Sequence, residues 1–101
     1  MSDEPSLAKA LLGAQSALEK KAEGVRILNV STISGFTDYF VICSGTSDRQ
    51  VQAIADSISY AFKKQGHPVY STEGYTDGRW VLLDFGDVVV HIFLDALREY
   101  Y

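Results

Sequence analysis

The chain has 101 residues, a formal net charge of −4 at pH 7, and 47% hydrophobic residues. This length and composition are typical of one folded domain and exclude an intrinsically disordered chain. The nine Lys and Arg residues are scattered, which argues against a nucleic-acid binder, since such proteins carry a basic stripe that neutralises phosphates. An acidic protein of this kind is better matched to a basic protein surface than to RNA.

The cysteine content and the first residues indicate the compartment. Cys43 is the only cysteine, so no internal disulfide can form, which suits a reducing cytosol. The first residues, MSDEPSLAKALLGA, are acidic and lack the apolar core of a secretion signal. No apolar run approaches the roughly 20 residues of a membrane span. These features predict a cytoplasmic protein without membrane contact.

A first helix is predicted over residues 5–23, where apolar residues recur at helical spacing with Lys and Glu between them. These apolar residues are Leu7, Leu11, Leu18 and Ala22. We expect this helix to lay that stripe on a sheet and to stop near Gly24. A short strand, VRILNV at 25–30, and a loop of Ser, Thr and Gly at 31–37 follow.

The strongest secondary-structure signals lie between residues 38 and 66. The run DYFVICS at 38–44 is nearly all apolar, which is typical of an inner strand buried on both faces, and Cys43 within it should be packed rather than reactive. A second helix begins with a capping box of Ser47 and Gln50 and ends before Gly66. Its apolar stripe has i, i+3, i+4, i+7 spacing and comprises Val51, Ile54, Ala55, Ile58, Ala61 and Phe62.

A third strand is predicted over residues 69–75. The segment that follows at 79–93, RWVLLDFGDVVVHIF, predicts a β-hairpin closed by a two-residue loop, Gly86-Asp87. Alternation places Val81, Leu83, Val88, Val90 and Ile92 on one face, which we expect helices to cover. The other face carries Trp80, Leu82, Asp84, Val89, His91 and Phe93. A mixed face of this kind is either capped by a polar-lined element or offered to a partner.

A short last helix over 96–101 completes the predicted order α-β-β-α-β-β-β-α. This order predicts a single α/β domain over residues 1–101, with a mixed β-sheet and helices packed on it. Within the hairpin, Asp84 is unusual because lone carboxylates are rarely buried in an apolar strand. It either meets the backbone N–H groups of the turn or faces a partner.

The only hint of catalysis is the helix N-terminus at Gly45-Thr46-Ser47, which resembles the phosphate-binding helix of nucleotidyltransferase folds. Those enzymes also need paired carboxylates that hold two divalent metals, whereas Asp84 and Asp87 merely flank a turn. Capping is the commoner role of a residue such as Ser47, and a strand histidine such as His91 more often packs or meets a partner. We therefore expect that the protein is not an enzyme and holds no cofactor or metal ion. The alternative is that it is a small nucleotide-binding or nucleotidyltransferase-like module.

Two long blocks, DYFVICSGTSDRQVQAIADSI at 38–58 and the hairpin at 79–93, closely resemble the ribosomal silencing factor, or Iojap-like, family. Glu73-Gly74 and the terminal REYY agree with it, so the resemblance runs from about Leu7 to the end. The resemblance implies a nucleotidyltransferase-like fold without the catalytic carboxylates. The family pattern continues past Tyr101 with a Leu-Glu and Trp segment that the present sequence does not contain.

The resemblance also implies a partner and a mechanism. It implies binding to large-subunit ribosomal protein fourteen, with little direct RNA contact, so that docking blocks subunit joining and represses translation. It further implies self-association as a homodimer. On the acidic hairpin face, Trp80 would be the anchor. The expected contact residues are Glu73, Trp80, Leu82, Asp84, Asp87, His91 and Tyr100.

Overall fold

The computed structural model describes residues 4–95, which form two helices and five strands in the order αββαβββ. The elements are α1 Glu4–Glu19, β1 Glu23–Asn29, β2 Tyr39–Gly45, α2 Asp48–Lys64, β3 Ser71–Glu73, β4 Trp80–Asp84 and β5 Val88–Leu94. The predicted order of the first seven elements is confirmed. The predicted last helix, residues 96–101, lies outside the described residues.

All five strands belong to one sheet with the order β1-β2-β5-β4-β3. Strands β2 and β5 run parallel, whereas the other neighbouring pairs are antiparallel, so the sheet is mixed as predicted. The parallel pair lies in the interior of the sheet, because β1 flanks β2 on one side and β4 flanks β5 on the other. The inner position predicted for the apolar run of β2 is therefore confirmed.

The hairpin between β4 and β5 closes with the predicted two-residue loop. The backbone N–H of Phe85 donates to the carbonyl of Val88 at 2.9 Å, which leaves Gly86 and Asp87 as the loop residues. Gly86 has a φ of +91°, a conformation that glycine adopts without the steric cost of a Cβ atom. This turn sets the register of the whole hairpin, and with it the face on which each side chain lies.

The core lies between the sheet and both helices. The five aliphatic hairpin residues that were predicted to face the helices are all fully buried: Val81, Leu83, Val88, Val90 and Ile92. The predicted stripe of α2 is likewise buried, except that Ala61 is only half-buried. The ring of Phe62 stacks on Phe85 with 3.9 Å between centroids, and Cys43 is completely enclosed.

Helix α2 has caps at both ends. The Ser47 hydroxyl accepts a hydrogen bond from the backbone N–H of Gln50 at 3.1 Å. The Gln50 side chain reaches one residue further than in a standard capping box and accepts from the Thr46 backbone N–H at 2.6 Å. At the other end, Gly66 has a φ of +81°, which is typical of the residue after a helix C-cap.

Helix α1 packs through a different face from the one predicted. Leu7, Leu11 and Leu18 are exposed, with 39%, 54% and 58% of their surface accessible. The buried residues of α1 are all small: Ser6, Ala10, Gly13, Ala14, Ser16 and Ala17. A Cβ atom on Gly13 would lie 3.5 Å from Phe62 and 3.7 Å from Val41. The helix therefore lies too close to the sheet and to α2 for leucine side chains to fit between them.

The end of α1 also differs from the prediction. The helix stops at Glu19, and the chain reverses through Lys21, which has a φ of +61°. Gly24 lies inside β1 rather than at the helix stop. Within residues 4–95, neither helix is both long enough and apolar enough to span a membrane.

Candidate functional site

Neither described helix packs on the second face of the sheet, which we call the outer sheet face. On β5, Val88, Val90 and Ile92 point to the helices, so Val89, His91 and Phe93 point to the outer sheet face. The pairing of the strands extends this face across the sheet. Its members include Arg26, Leu28, Phe40, Ile42, Glu73, Trp80, Leu82, Asp84, Val89, His91 and Phe93. All six hairpin residues predicted for this face lie on it.

One row of the outer sheet face crosses all five strands. Glu73, Leu82, His91, Ile42 and Arg26 are successive neighbours in the register. The row places a carboxylate at the β3 edge, a guanidinium at the β1 edge, and apolar side chains with one imidazole between them. An apolar centre with charged groups at its rim is the usual anatomy of a protein–protein interface.

Four aromatic side chains lie together on this face. Trp80 stacks on Phe93 with 5.1 Å between ring centroids and 28° between the ring planes. Phe40 meets His91 edge to face, with centroids 4.8 Å apart. The indole N–H of Trp80 donates to Nδ1 of His91 at 3.3 Å. Phe93 is almost completely buried, whereas 38% of Trp80 is accessible, which makes the indole the exposed surface of this cluster.

The pKa of His91 is lowered by burial, because an imidazolium loses hydration in apolar surroundings. The side chain is therefore neutral at pH 7, and its Nδ1 is free to accept the indole hydrogen bond. His91 accordingly acts as a packed, hydrogen-bonded member of the aromatic cluster in this structure.

Asp84 lies on the outer sheet face and contacts the hairpin turn. Its Oδ1 atom accepts a hydrogen bond from the backbone N–H of Gly86 at 2.8 Å. The structure thus shows the first of the two roles considered for this carboxylate. The side chain remains half-exposed, and it is a diagonal neighbour of Glu73 in the register of β3 and β4.

Asp87 lies apart from the other predicted contact residues, on the helix side of the turn. It forms an ion pair with Lys9 of α1, and its Oδ2 atom lies 2.9 Å from the Ser6 hydroxyl. Burial by itself would raise the pKa of Asp87, but the hydrogen bonds from Lys9 and Ser6 outweigh it and hold the pKa below 3.8. Its charge is thus largely compensated within the protein.

The remaining predicted contact residues are Leu82, Glu73 and Tyr100. Leu82 is half-buried beside His91, and Glu73 is exposed on the short edge strand β3. Tyr100 lies outside the described residues. The structure therefore brings Glu73, Trp80, Leu82, Asp84 and His91 onto one surface.

Two exposed apolar residues are not among the predicted contact residues. Ile33 and Phe36, in the loop between β1 and β2, have 85% and 94% of their surface accessible. The loop is nonetheless hydrogen-bonded, since the Ser34 N–H donates to Val30 at 2.8 Å and the Ser34 hydroxyl accepts from the Phe36 N–H at 3.1 Å. A Phe and an Ile in an otherwise polar loop were the sequence signal for this exposed apolar pair.

The helix N-terminus that could bind a phosphate is occupied by the protein's own side chains. Gln50 Oε1 accepts from both the backbone N–H and the hydroxyl of Thr46, while the Ser47 hydroxyl caps the helix. Among residues 4–95, no cluster of three or more His, Cys, Asp or Glu side chains could hold a metal ion. The geometry favours capping over nucleotide binding.

An open groove of about 500 Å³ lies on the helix side of the protein. It is lined by Pro5, Leu11, Leu12, Gln15 and His67, among others. No predicted contact residue lines it, so the outer sheet face is the better candidate site.

Comparison with known proteins identifies a family. The model of the family described as "Ribosomal silencing factor during starvation" matches residues 3–101. A ribosomal silencing factor of Halalkalibacterium halodurans is 49% identical over 83 residues, covering 82% of this chain and 71% of the relative. The ribosomal silencing factor of Bacillus subtilis is 46% identical over 90 residues, covering 89% of this chain and 76% of the relative. The chloroplastic Iojap protein of Zea mays is 38% identical over 99 residues, covering 98% of this chain and 43% of the relative.

Solved structures agree with the fold. A crystal structure of a protein from Chromobacterium violaceum matches with a TM-score of 0.92 and 34% identity, and the match covers 94% of this chain and 79% of that one. A crystal structure from Bacillus halodurans matches with a TM-score of 0.79 and 41% identity over 90% of both chains.

Proposed function

Since the chain belongs to the ribosomal silencing factor family, we propose that it binds the large ribosomal subunit through ribosomal protein fourteen. The bound protein then sterically blocks joining of the small subunit and so represses translation. In this proposal residues 1–101 act as one ribosome-binding domain in the cytoplasm. The contact is made to protein, with little direct RNA contact, because the chain is acidic and its basic residues are scattered.

The observation that carries this proposal is the outer sheet face. It combines the accessible indole of Trp80 with the apolar side chains of Leu28, Phe40 and Ile42, away from both described helices. Trp is enriched among the residues that dominate binding energy at interfaces. A contiguous apolar surface rimmed by charges is typical of a protein-binding site.

The charges at the rim favour a basic partner. Glu73 and Asp84 lie together at the β3–β4 side, and Asp84 is the more enclosed of the two. Carboxylates at a rim act mainly on the rate of association, because they attract opposite charges before contact. Asp87 contributes little here, since Lys9 already neutralises it.

The loop carrying Ile33 and Phe36 is part of the proposed contact surface. Both side chains are almost fully accessible, although large apolar side chains are normally enclosed. Because the loop is held by its own hydrogen bonds, little conformational entropy is lost when a partner binds to it.

The second candidate function, a nucleotide-binding or nucleotidyltransferase-like module, has less support. Its basis is the helix N-terminus at Ser47, where Gln50 and Ser47 already occupy the donors. We therefore propose that the protein is not an enzyme and uses no cofactor. Incubation with labelled nucleotides and Mg²⁺ or Mn²⁺ tests this, and turnover that disappears in Ser47→Ala would contradict it.

Self-association as a homodimer also belongs to the proposal, and it rests on the family resemblance alone. Sedimentation equilibrium of the purified protein measures it directly. A single monomeric species at all concentrations would remove this part without affecting subunit binding.

The decisive experiment measures subunit joining. Purified small and large subunits are mixed with the protein, and joined ribosomes are quantified on sucrose gradients. Wild-type protein should lower the joined fraction, and Trp80→Ala should lower it much less. Leu18→Ala is the matched control, because it removes an exposed apolar side chain from α1, on the opposite side of the protein. Unchanged joining at saturating wild-type protein would contradict the proposed function.

A further inference from the structure

We propose that His91 is the positioning residue that fixes the indole of Trp80 on the outer sheet face, and that protonation of His91 releases it. The inference rests on the proposed function in one respect, namely that Trp80 contacts the partner. It adds to that function a dependence on pH: the orientation of the Trp80 indole is fixed at neutral pH and is no longer fixed in acid.

The hydrogen bond between the two side chains determines the tautomer of His91. An indole N–H can only donate, so the Nδ1 atom of His91, 3.3 Å away, must accept. The proton of the neutral ring is therefore on Nε2. The two rings lie with centroids 6.1 Å apart and planes 35° from parallel, so the hydrogen bond restrains the orientation of the indole.

The other ring nitrogen shows why this arrangement is sensitive to protonation. Nε2 of His91 is buried and has no hydrogen-bond partner among residues 4–95, while Phe40 lies edge to face with the ring. Because Nε2 already carries the proton of the neutral ring, a second proton can bind only at Nδ1. That proton converts the acceptor of the Trp80 hydrogen bond into a donor, so the bond breaks.

No described charged side chain compensates the imidazolium at close range. The direct neighbours of His91 on β4 and β2 are Leu82 and Ile42. Asp84 is diagonal to it on β4 and is hydrogen-bonded to the turn. Glu73 and Arg26 each lie one strand further out in the same row, about 9–10 Å away at the usual spacing of strands.

The first experiment needs no partner, because Trp80 is the only tryptophan in the chain. The indole N–H signal in NMR, or the tryptophan fluorescence, is followed as the pH is lowered. The signal should titrate with a midpoint below 6.5, the ordinary value for histidine, because burial lowers the pKa of His91. His67→Asn should leave this titration unchanged.

Two substitutions at the same position separate positioning from packing. His91→Phe keeps an aromatic ring and removes the acceptor, so it should abolish the titration and shift the indole signal at neutral pH. His91→Asn places its Oδ1 atom near the position of Nδ1, so it should restore the neutral-pH indole signal while remaining insensitive to pH. An indole signal that titrates unchanged in His91→Asn would overturn the inference.

The second experiment measures binding to purified large subunits at neutral pH. His91→Phe should weaken binding by about twofold to tenfold, the range expected for one net hydrogen bond, and His91→Asn should bind like wild type. If Trp80→Ala weakens binding while His91→Phe does not, the inference fails and the proposed function stands. If wild type does not bind subunits, the proposed function fails, and the indole titration alone decides whether His91 positions Trp80. Should His91→Phe not fold, the titration of His91→Asn gives the same decision.

Discussion

Asp87 in the last hairpin turn is ion-paired with Lys9 in the first helix, 78 residues earlier in the chain. The pair is partly buried, with 15% of the Lys9 side chain and 33% of the Asp87 side chain accessible. Ser6 adds a hydrogen bond from the same helix. This contact holds the start of α1 onto the turn that sets the register of β4 and β5, and hence onto the strands of the outer sheet face.

We expect Lys9→Met to lower the free energy of unfolding by about 1 kcal/mol, because it leaves a partly buried carboxylate without its cation. Subunit binding by the folded variant should change little, since the pair lies on the helix side. Urea denaturation followed by circular dichroism measures the loss. A double-mutant cycle with Asp87→Asn should show coupling, and additive effects would contradict the ion pair.

The same pair should make stability depend on pH in the acid range. The pKa of Asp87 is below 3.8 in the folded protein, so the folded state holds the carboxylate in its charged form. The ion pair therefore contributes fully to stability at pH values above 3.8, the ordinary pKa of this carboxyl group. This contribution is lost as the pH falls through the lower pKa of the folded state. Thermal melts of wild type should therefore lose more stability across this interval than melts of Asp87→Asn. Parallel losses in the two proteins would argue against this linkage.

Phe36→Ala should weaken large-subunit binding without a measurable change in melting temperature. The side chain is 94% accessible, so little buried apolar contact is lost from the folded protein, and exposed substitutions usually change stability by less than about 0.5 kcal/mol. The matched control is Tyr60→Ala, which removes an exposed aromatic ring from α2 on the other side of the protein. Equal binding by both variants and wild type would exclude the loop from the contact surface.

Glu73→Gln should slow association with the large subunit most strongly at low salt. Steering by surface charges is screened beyond about 10 Å at 0.1 M ionic strength, so the difference from wild type should shrink as salt is added. Asp87→Asn provides an internal comparison, because Lys9 already neutralises that carboxylate, and its effect should be smaller. Stopped-flow association rates measure both, and a larger effect of Asp87→Asn would reverse this assignment.

The close approach of α1 can be tested at Gly13. A Cβ atom there would make ordinary contacts at 3.5 Å or more, so Gly13→Ala should stabilise the protein by about 0.5–1 kcal/mol through its better helix propensity. Gly13→Leu should instead cost about 1–3 kcal/mol, because the larger side chain overpacks the contact with Phe62. Leu11→Ala, at an exposed position, should change stability little. Denaturant midpoints compare the three, and a greater loss for Leu11→Ala would restore the leucine stripe as the buried face.

Features that depend on near neighbours in the chain could be predicted from the sequence. The loop at Gly86-Asp87, the two faces of the hairpin and the capped helix α2 follow from turn chemistry, a period of two and a period of 3.6, and the structure confirms them. The family is also evident from the sequence, because it is carried by two contiguous blocks.

Features that depend on contacts between distant segments became visible in the folded protein. Helix α1 has a leucine stripe and a small-residue stripe with the same helical period, and hydrophobicity by itself favours burial of the leucines. The distance of α1 from Val41 and Phe62 selects the small residues instead. Likewise, Asp87 was predicted to contact a partner, but in the folded protein α1 places Lys9 beside it. In both cases the deciding interaction joins residues that are remote in the chain, so local periodicity could not reveal it.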